Sequence, residues 1–189
     1  MSKERCKWCN PNNPIYIDYH DNEWCQPNFD DKYLYEMLIL ESFQAGLSWE
    51  CVLSKRESFR RAYDNFDINK ICAYDEAKIL ELLNDKEIIR NKLKIKASIH
   101  NSIIFKNITE EYGGFCNYLK QFTKGEIIYE IGKTKSSLSD MISKDLQKRG
   151  RAARGIQPRG SGARSPCPWS QHPRPNLTAA GNRLHWGHS

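Results

Sequence analysis

One pattern recurs from Asp30 to Gly150. A Ser or Asp precedes apolar residues at helical spacing, a Gly, Asn or Asp closes each run, and no strict apolar–polar alternation intervenes. Side chains three and four apart share a helix face, so a chain written this way must bury helical stripes against one another. "DDKYLYEMLILESFQAG" starts at an Asp cap and stops at Gly46, and "LSWECVLSKRESFRRAYDNF" follows as a second helix. "YDEAKILELLND", "EIIRNKLKIKASIHNSIIFKN", "GGFCNYLKQF" and "SSLSDMISKDLQKRG" read as four more. An all-α bundle of short helices in one domain, residues 1–150, is the most economical fold.

After Gly150 the residue types change. Residues 151–189 hold five of the eight prolines, five of the eleven glycines, six arginines, and no lysine or acid. No helical or strand period survives there, and the composition predicts a disordered tail. The split matters for charge. The formal +6 belongs to the tail's arginines, and the remaining 23 basic residues are matched by 23 acidic ones. Attraction to nucleic acid must come from local clusters in the body rather than from its net field. No apolar run approaches the ~20 residues that cross a bilayer, and "MSKERCKWC" lacks a signal-peptide core. The expectation is a soluble, cytoplasmic protein with no membrane partner, whose seven cysteines are reduced thiols or metal ligands.

Chemistry concentrates in a few places. "YIDYHDNEWC" (16–25) mixes large rings with a histidine, acids and an amide, a composition suited to a pocket wall, a metal site or a loop pinned over one. On the helix 31–45, Leu34, Met37, Leu38 and Ala45 form an apolar stripe, with Glu41 in its middle. A carboxylate there either ties helices together through basic partners or serves a cavity. Trp49, Tyr16, Tyr19 and Trp24 could be core, or could ring that acid to hold a flat, nitrogen-rich, cationic ligand. From Ile88 to Ile108 there is no acid, while Arg90, Lys92, Lys94, Lys96 and Lys106 are basic. Arg90, Lys94, Ser98 and Asn101 share a face opposite Ile89, Leu93 and Ile103, which is either a solvated face or a phosphate-binding one. Cys6-x2-Cys9 followed by His20 has metal-ligand character, or is a pair of free thiols in a turn-rich segment.

Together these pieces resemble one family, the constitutive bacterial type I DNA-3-methyladenine glycosylases of the helix-hairpin-helix superfamily. The resemblance runs through "RCKWC", "NPIYIDYHDNEW", "LILESFQAGLSWECVLSKRESFRRAYDNFD", "EIIRNKLKIKASIHN" and "SDMISKDLQKRG", covering nearly all of residues 5–150. It departs at Cys25, where the family has Gly, and at Ser42-Phe43 before Gln44. It implies a helix-hairpin-helix glycosylase-like bundle that hydrolyses the N-glycosidic bond of 3-methyladenine in double-stranded alkylated DNA, as a monomer and without cutting the backbone. Position by position it makes Glu41 the catalytic-site acid that accepts hydrogen bonds from the base, with Trp49 stacking on that base. It lines the pocket with Trp8, Tyr16, Tyr19 and Trp24, and has the hairpin around Asp85–Lys96, with Arg90, Lys92, Lys94 and Lys96, grip phosphates. It needs no catalytic cofactor, but implies a structural zinc held in part by Cys6 and His20. The tail does not match the family's C-terminal segment, and its Cys167, His172, His185 and His188 stand in Pro/Gly-rich surroundings. The alternative is a DNA-binding relative or truncated product with an impaired pocket.

Overall fold

The structure is a computed structural model that describes residues 5–24, 26–126 and 136–152. The predicted disorder of the tail beyond Ala152, the tail's Cys and His residues, and the departure at Cys25 lie outside the described residues. Among those described, every regular element is a helix.

Local chemistry sets the boundaries. Helix α1 (Pro14–Asn22) begins where the Asn13 side chain accepts hydrogen bonds from the Ile15 and Tyr16 amides, with a proline where no N–H is needed. The sequence reading missed this helix, because its polar and aromatic residues show no clean stripe. Helix α2 (Asp31–Gln44) is capped by Asp30, which accepts from the Tyr33 amide at 3.0 Å, and the chain leaves it through Gly46 at φ +81°.

The single helix predicted over "LSWECVLSKRESFRRAYDNF" is instead two helices and a turn. Ser48 caps α3 (Trp49–Leu53) and Ser54 ends it, its hydroxyl donating to the Cys51 carbonyl, before α4 (Arg56–Ala62) starts. Asp64, Asn65 and Phe66 then form a left-handed turn. The break lets Trp49 face α1 while Phe59, on α4, packs 4.8 Å from Phe43 of α2. Helices α5 (Ile68–Cys72) and α6 (Glu76–Asn84) follow, capped by Asp67 and Asp75.

The predicted fourth helix starts later and runs further than expected. Asn91 caps α7 (Lys92–Tyr112) by accepting from the Lys94 amide, so 85–91 is the turn of a hairpin between α6 and α7. Helix α8 (Phe115–Thr123) has its first amide bonded to the Asp31 carboxylate at 3.0 Å. Helix α9 (Ser137–Ala152) opens on a reciprocal Ser136–Ser139 cap and runs two residues past the boundary expected at Gly150.

Helix α2 lies at the centre. Ile39, Leu40 and Phe43 are fully buried in a core shared with Phe59 of α4 and with Ile95, Phe105 and Ile108 of α7. The one-sided stripe expected for α2 is therefore corrected: Tyr35, Glu36 and Gln44 are buried as well, while Ala45 is exposed. A helix packed on several sides has no solvent face to pattern. The face assignment on α7 is reversed. Ser98 and Ser102 are fully buried, whereas Leu93 is 81% exposed and Ile103 lies at the surface. Burial of the serines is made tolerable by the hydroxyls they meet, Tyr63 on Ser98 at 3.1 Å and Tyr35 on Ser102.

Candidate active site

The aromatic residues singled out in the sequence converge. Trp8 packs edge-on against Tyr16 and Trp24, with ring centres 5.1 Å apart in both cases, and lies 5.3 Å from His20. Tyr19, at the inner face of α1, sits 6.4 Å from Trp24 and 5.6 Å from Trp49. Tyr16, Tyr19 and Trp49 are buried, while Trp8 and Trp24 are half-buried. Asn10 and Asn13 both donate to Glu50 Oε1 at 2.8 Å, which ties the loop before α1 to the helix that begins with Trp49. The rings thus come from three separate stretches of chain held as one unit.

The electrostatics of this cluster follow from its burial. Desolvation pushes the Tyr19 phenol well above its ordinary range, and the nearby Glu41 carboxylate pushes it in the same direction. The Trp49 indole opposes that shift without making a hydrogen bond of normal geometry. Tyr16 is raised by burial to about 12. Both phenols therefore stay protonated and can donate a hydrogen bond at any physiological pH. Glu41 is partly buried one turn before the end of α2. Two further groups at this corner, the Gln44 side-chain oxygen and the Trp49 indole N–H, are buried without a hydrogen-bond partner in the protein. Buried polar atoms left unsatisfied cost stability, and a polar ligand bound at this corner would satisfy them.

Several residues tied to this cluster were not singled out in the sequence. The most buried carboxylate of α2 is Glu36, not Glu41. Arg56 donates to Glu36 at 2.6 Å and to Glu23 at 2.7 Å, Tyr33 donates to Glu23 at 3.0 Å, and Arg60 donates to Glu36 at 2.9 Å. Glu23 adjoins Trp24 of the aromatic cluster, so this network anchors one side of that cluster. Burial would lower the Arg56 guanidinium, but its bonds to Glu23 and Glu36 outweigh that and leave it raised. The one hint in the sequence was Glu36 inside the apolar run "YLYEMLIL".

The basic hairpin is only partly as expected. Arg90, Lys92 and Lys96 are exposed, and Lys96 pairs with Glu76 at 2.5 Å. Lys94, expected on a phosphate-facing surface, points inward: its ammonium donates to the Phe43 carbonyl at 2.8 Å and the Ala45 carbonyl at 2.6 Å. Cys6 and His20 are brought together. The Cys6 amide donates to His20 Nε2 at 3.2 Å, and Asp21, itself gripped by Arg5, bonds His20 Nδ1 at 2.8 Å. A carboxylate on Nδ1 is how proteins orient a metal-binding imidazole, while the Nε2 that would bind the metal here accepts from the Cys6 amide. No group of three or more metal-ligating side chains occurs among the described residues, and none of their helices is long and apolar enough to cross a membrane.

Comparison with known proteins bears on this geometry. The family model described as methyladenine glycosylase matches residues 8–157. DNA-3-methyladenine glycosylase 1 of Escherichia coli (strain K12) is 43% identical over 155 residues, covering 78% of this chain and 81% of the relative. The DNA-3-methyladenine glycosylase of Haemophilus influenzae is 36% identical over 152 residues, covering 77% and 82%. A crystal structure of 3-methyladenine DNA glycosylase I superposes with a TM-score of 0.71 at 38% identity, over 78% of this chain and 84% of that one. The enzyme from Staphylococcus aureus, studied for its recognition of 3-methyladenine, superposes with a TM-score of 0.68 at 30% identity, over 74% and 77%. A helical bundle that gathers these rings beside Glu41, and agrees with those proteins over most of both chains, belongs to the methyladenine glycosylase family.

Proposed function

We propose that this chain is a DNA repair glycosylase that hydrolyses the N-glycosidic bond of 3-methyladenine in alkylated double-stranded DNA and leaves the phosphodiester backbone intact. The observation that carries the reading is the buried aromatic cluster beside Glu41, in a chain of this family.

The chemistry asks for little beyond recognition. Methylation at N3 makes adenine cationic, so when the bond from the sugar C1′ breaks, the electron pair passes to the base and neutralises it. Water adds at C1′ and gives up a proton, and the sugar cation develops only in passing. A damaged base is also the cheapest to unstack and flip. What remains for the protein is to hold the flipped base and favour the charge that forms. Trp49 stacks on the base, Trp8, Tyr16 and Trp24 wall the pocket, and Tyr19, kept protonated, donates a hydrogen bond. Glu41 accepts from the base and opposes its positive charge. Cation–π attraction from the rings favours the methylated base over neutral adenine. Arg90, Lys92 and Lys96 are exposed on the hairpin and are the groups we assign to phosphates; Lys94 is not among them.

A structural zinc on Cys6 and His20, completed by two further ligands, is part of the same reading. It would tie down the segment carrying Trp8, Tyr16 and Tyr19. We take the working form to be a cytoplasmic monomer acting on the chromosome.

The test is release of free 3-methyladenine from methylated duplex DNA, with wild type beside Glu41→Gln. We expect release by wild type and a rate at least about 100-fold lower in the variant, with duplex binding retained. Unchanged turnover would remove Glu41 from the mechanism. Salt-dependent duplex binding without release by wild type would favour a DNA-binding relative with an impaired pocket.

A further inference from the structure

Lys94 lies in the first turn of α7, amid the basic residues of the hairpin, yet it does not share their surface. Its ammonium reaches across to the end of α2 and donates to the carbonyls of Phe43 and Ala45. The last carbonyls of a helix have no partner within it, and the helix dipole makes that end negative. A lysine there satisfies two of them at once and places its charge where the dipole favours it. No carboxylate among the described residues forms an ion pair with Lys94, and burial alone accounts for its lowered basicity.

What lies at that corner gives the contact its consequence. Gln44, with its unsatisfied buried oxygen, sits between the two carbonyls that Lys94 holds. Glu41 is one turn earlier on α2. Beyond the corner, Gly46 turns the chain at φ +81° and Ser48 caps the helix that starts with Trp49. A Cβ added at Gly46 would meet no atom within 4 Å, so the outer side of this corner is open space. The corner is therefore open on its outer side, closed on itself by the Leu47 amide on the Gln44 carbonyl at 2.6 Å, and bridged to α7 by one ammonium. Resting on the glycosylase reading above, we infer that Lys94 is a positioning residue for the base pocket, fixing Gln44 and Trp49 relative to Glu41, and not a phosphate ligand. It also makes the hairpin that meets the DNA backbone continuous with the corner that meets the base.

The test uses the full chain with Lys94→Met and Lys94→Arg. Three quantities are read: single-turnover release of 3-methyladenine at saturating enzyme, the slope of log affinity for duplex against log salt, and binding of free 3-methyladenine to the DNA-free protein. Displacing a binding group by about 1 Å can cost on the order of 100-fold in rate. We expect Lys94→Met to lower release at saturation by about 10- to 100-fold and to weaken free-base binding, with the salt slope unchanged. Lys94→Arg, which keeps a charged donor for both carbonyls, should restore part of each. A Lys94→Met variant that releases base at the wild-type rate once saturated, while its salt slope falls by about one, is a lost phosphate contact and overturns the inference. Failure of wild type to release base refutes the glycosylase reading separately. The salt slope still reports in that case, and a fall in it still counts against the inference.

Discussion

Replacing Arg56 by methionine should destabilise the protein strongly. Arg56 is 9% exposed and bridges Glu23 and Glu36, with contacts of 2.7 and 2.6 Å. Taking one partner from a buried ion pair costs about 3–5 kcal/mol, because the other charge stays buried without compensation. Two features moderate that figure here. Glu36 keeps Arg60, whose side chain is 34% exposed and therefore screened, and Glu23 keeps the Tyr33 hydroxyl. Methionine also retains most of the apolar stem. The expected loss is about 3 kcal/mol, the lower end of that range.

For a chain of this size the loss corresponds to a fall in Tm of roughly 6–12 °C. Urea unfolding followed by far-ultraviolet circular dichroism should show the midpoint shift without a change in slope. Lysine at this position has one ammonium for two carboxylates and should recover less than half of the loss. Because Glu23 is next to Trp24, the variant should also bind free 3-methyladenine more weakly. A loss under about 1 kcal/mol would put the network in the class of exposed surface pairs and refute the argument.

Three further outcomes follow from the geometry. Tyr19→Phe should lower base release. In wild type the pH profile of release should show no inflection from Tyr19 up to about pH 10, the ordinary phenol value, because burial and Glu41 raise its folded-state titration further. Asp31→Ala removes the carboxylate that caps α8 across the bundle and should cost about 1 kcal/mol in urea unfolding. Asp145 is buried enough to resist ionisation, but the hydrogen bonds from Arg149 and Tyr118 outweigh that and hold it below the usual carboxylate range. Its contribution is therefore present above about pH 4 and is lost as pH falls through the lower folded-state value. The stability gap between wild type and Asp145→Asn should be open at pH 6 and narrow as pH falls below about 4.

The order of the longer helices was legible because caps are local: Asp30 and Asp75 each act on amides within a few residues of themselves. The clustering of Tyr16, Tyr19, Trp24 and Trp49 was legible for a different reason, their crowding into "YIDYHDNEW" and "QAGLSW". Faces were not. Periodicity assumes that a polar side chain seeks water, and on α7 that assumption reversed the helix. Ser98 and Ser102 are small enough to enter the core and each finds a tyrosine hydroxyl there, while Leu93, at the helix start, has no neighbour to cover it.

The same assumption drew attention to Glu41 and away from Glu36. Five residues apart at about 100° each, the two carboxylates leave α2 in different directions. Charge alone does not distinguish them, since each is an acid on a largely buried helix. Their surroundings do. Glu36 meets Arg56 and Arg60, which come from α4 and satisfy it permanently. Glu41 acts on Tyr19 in a cluster whose other walls are indole and phenol rings. An acid already matched by two guanidiniums gains little from a cationic ligand. An acid beside π faces gains from one, because the rings and the carboxylate attract the same positive charge. That difference separates the two acids: Glu36 ties α4 to α2, and Glu41 is the one we assign, under the glycosylase proposal, to favouring a methylated purine over its neutral parent.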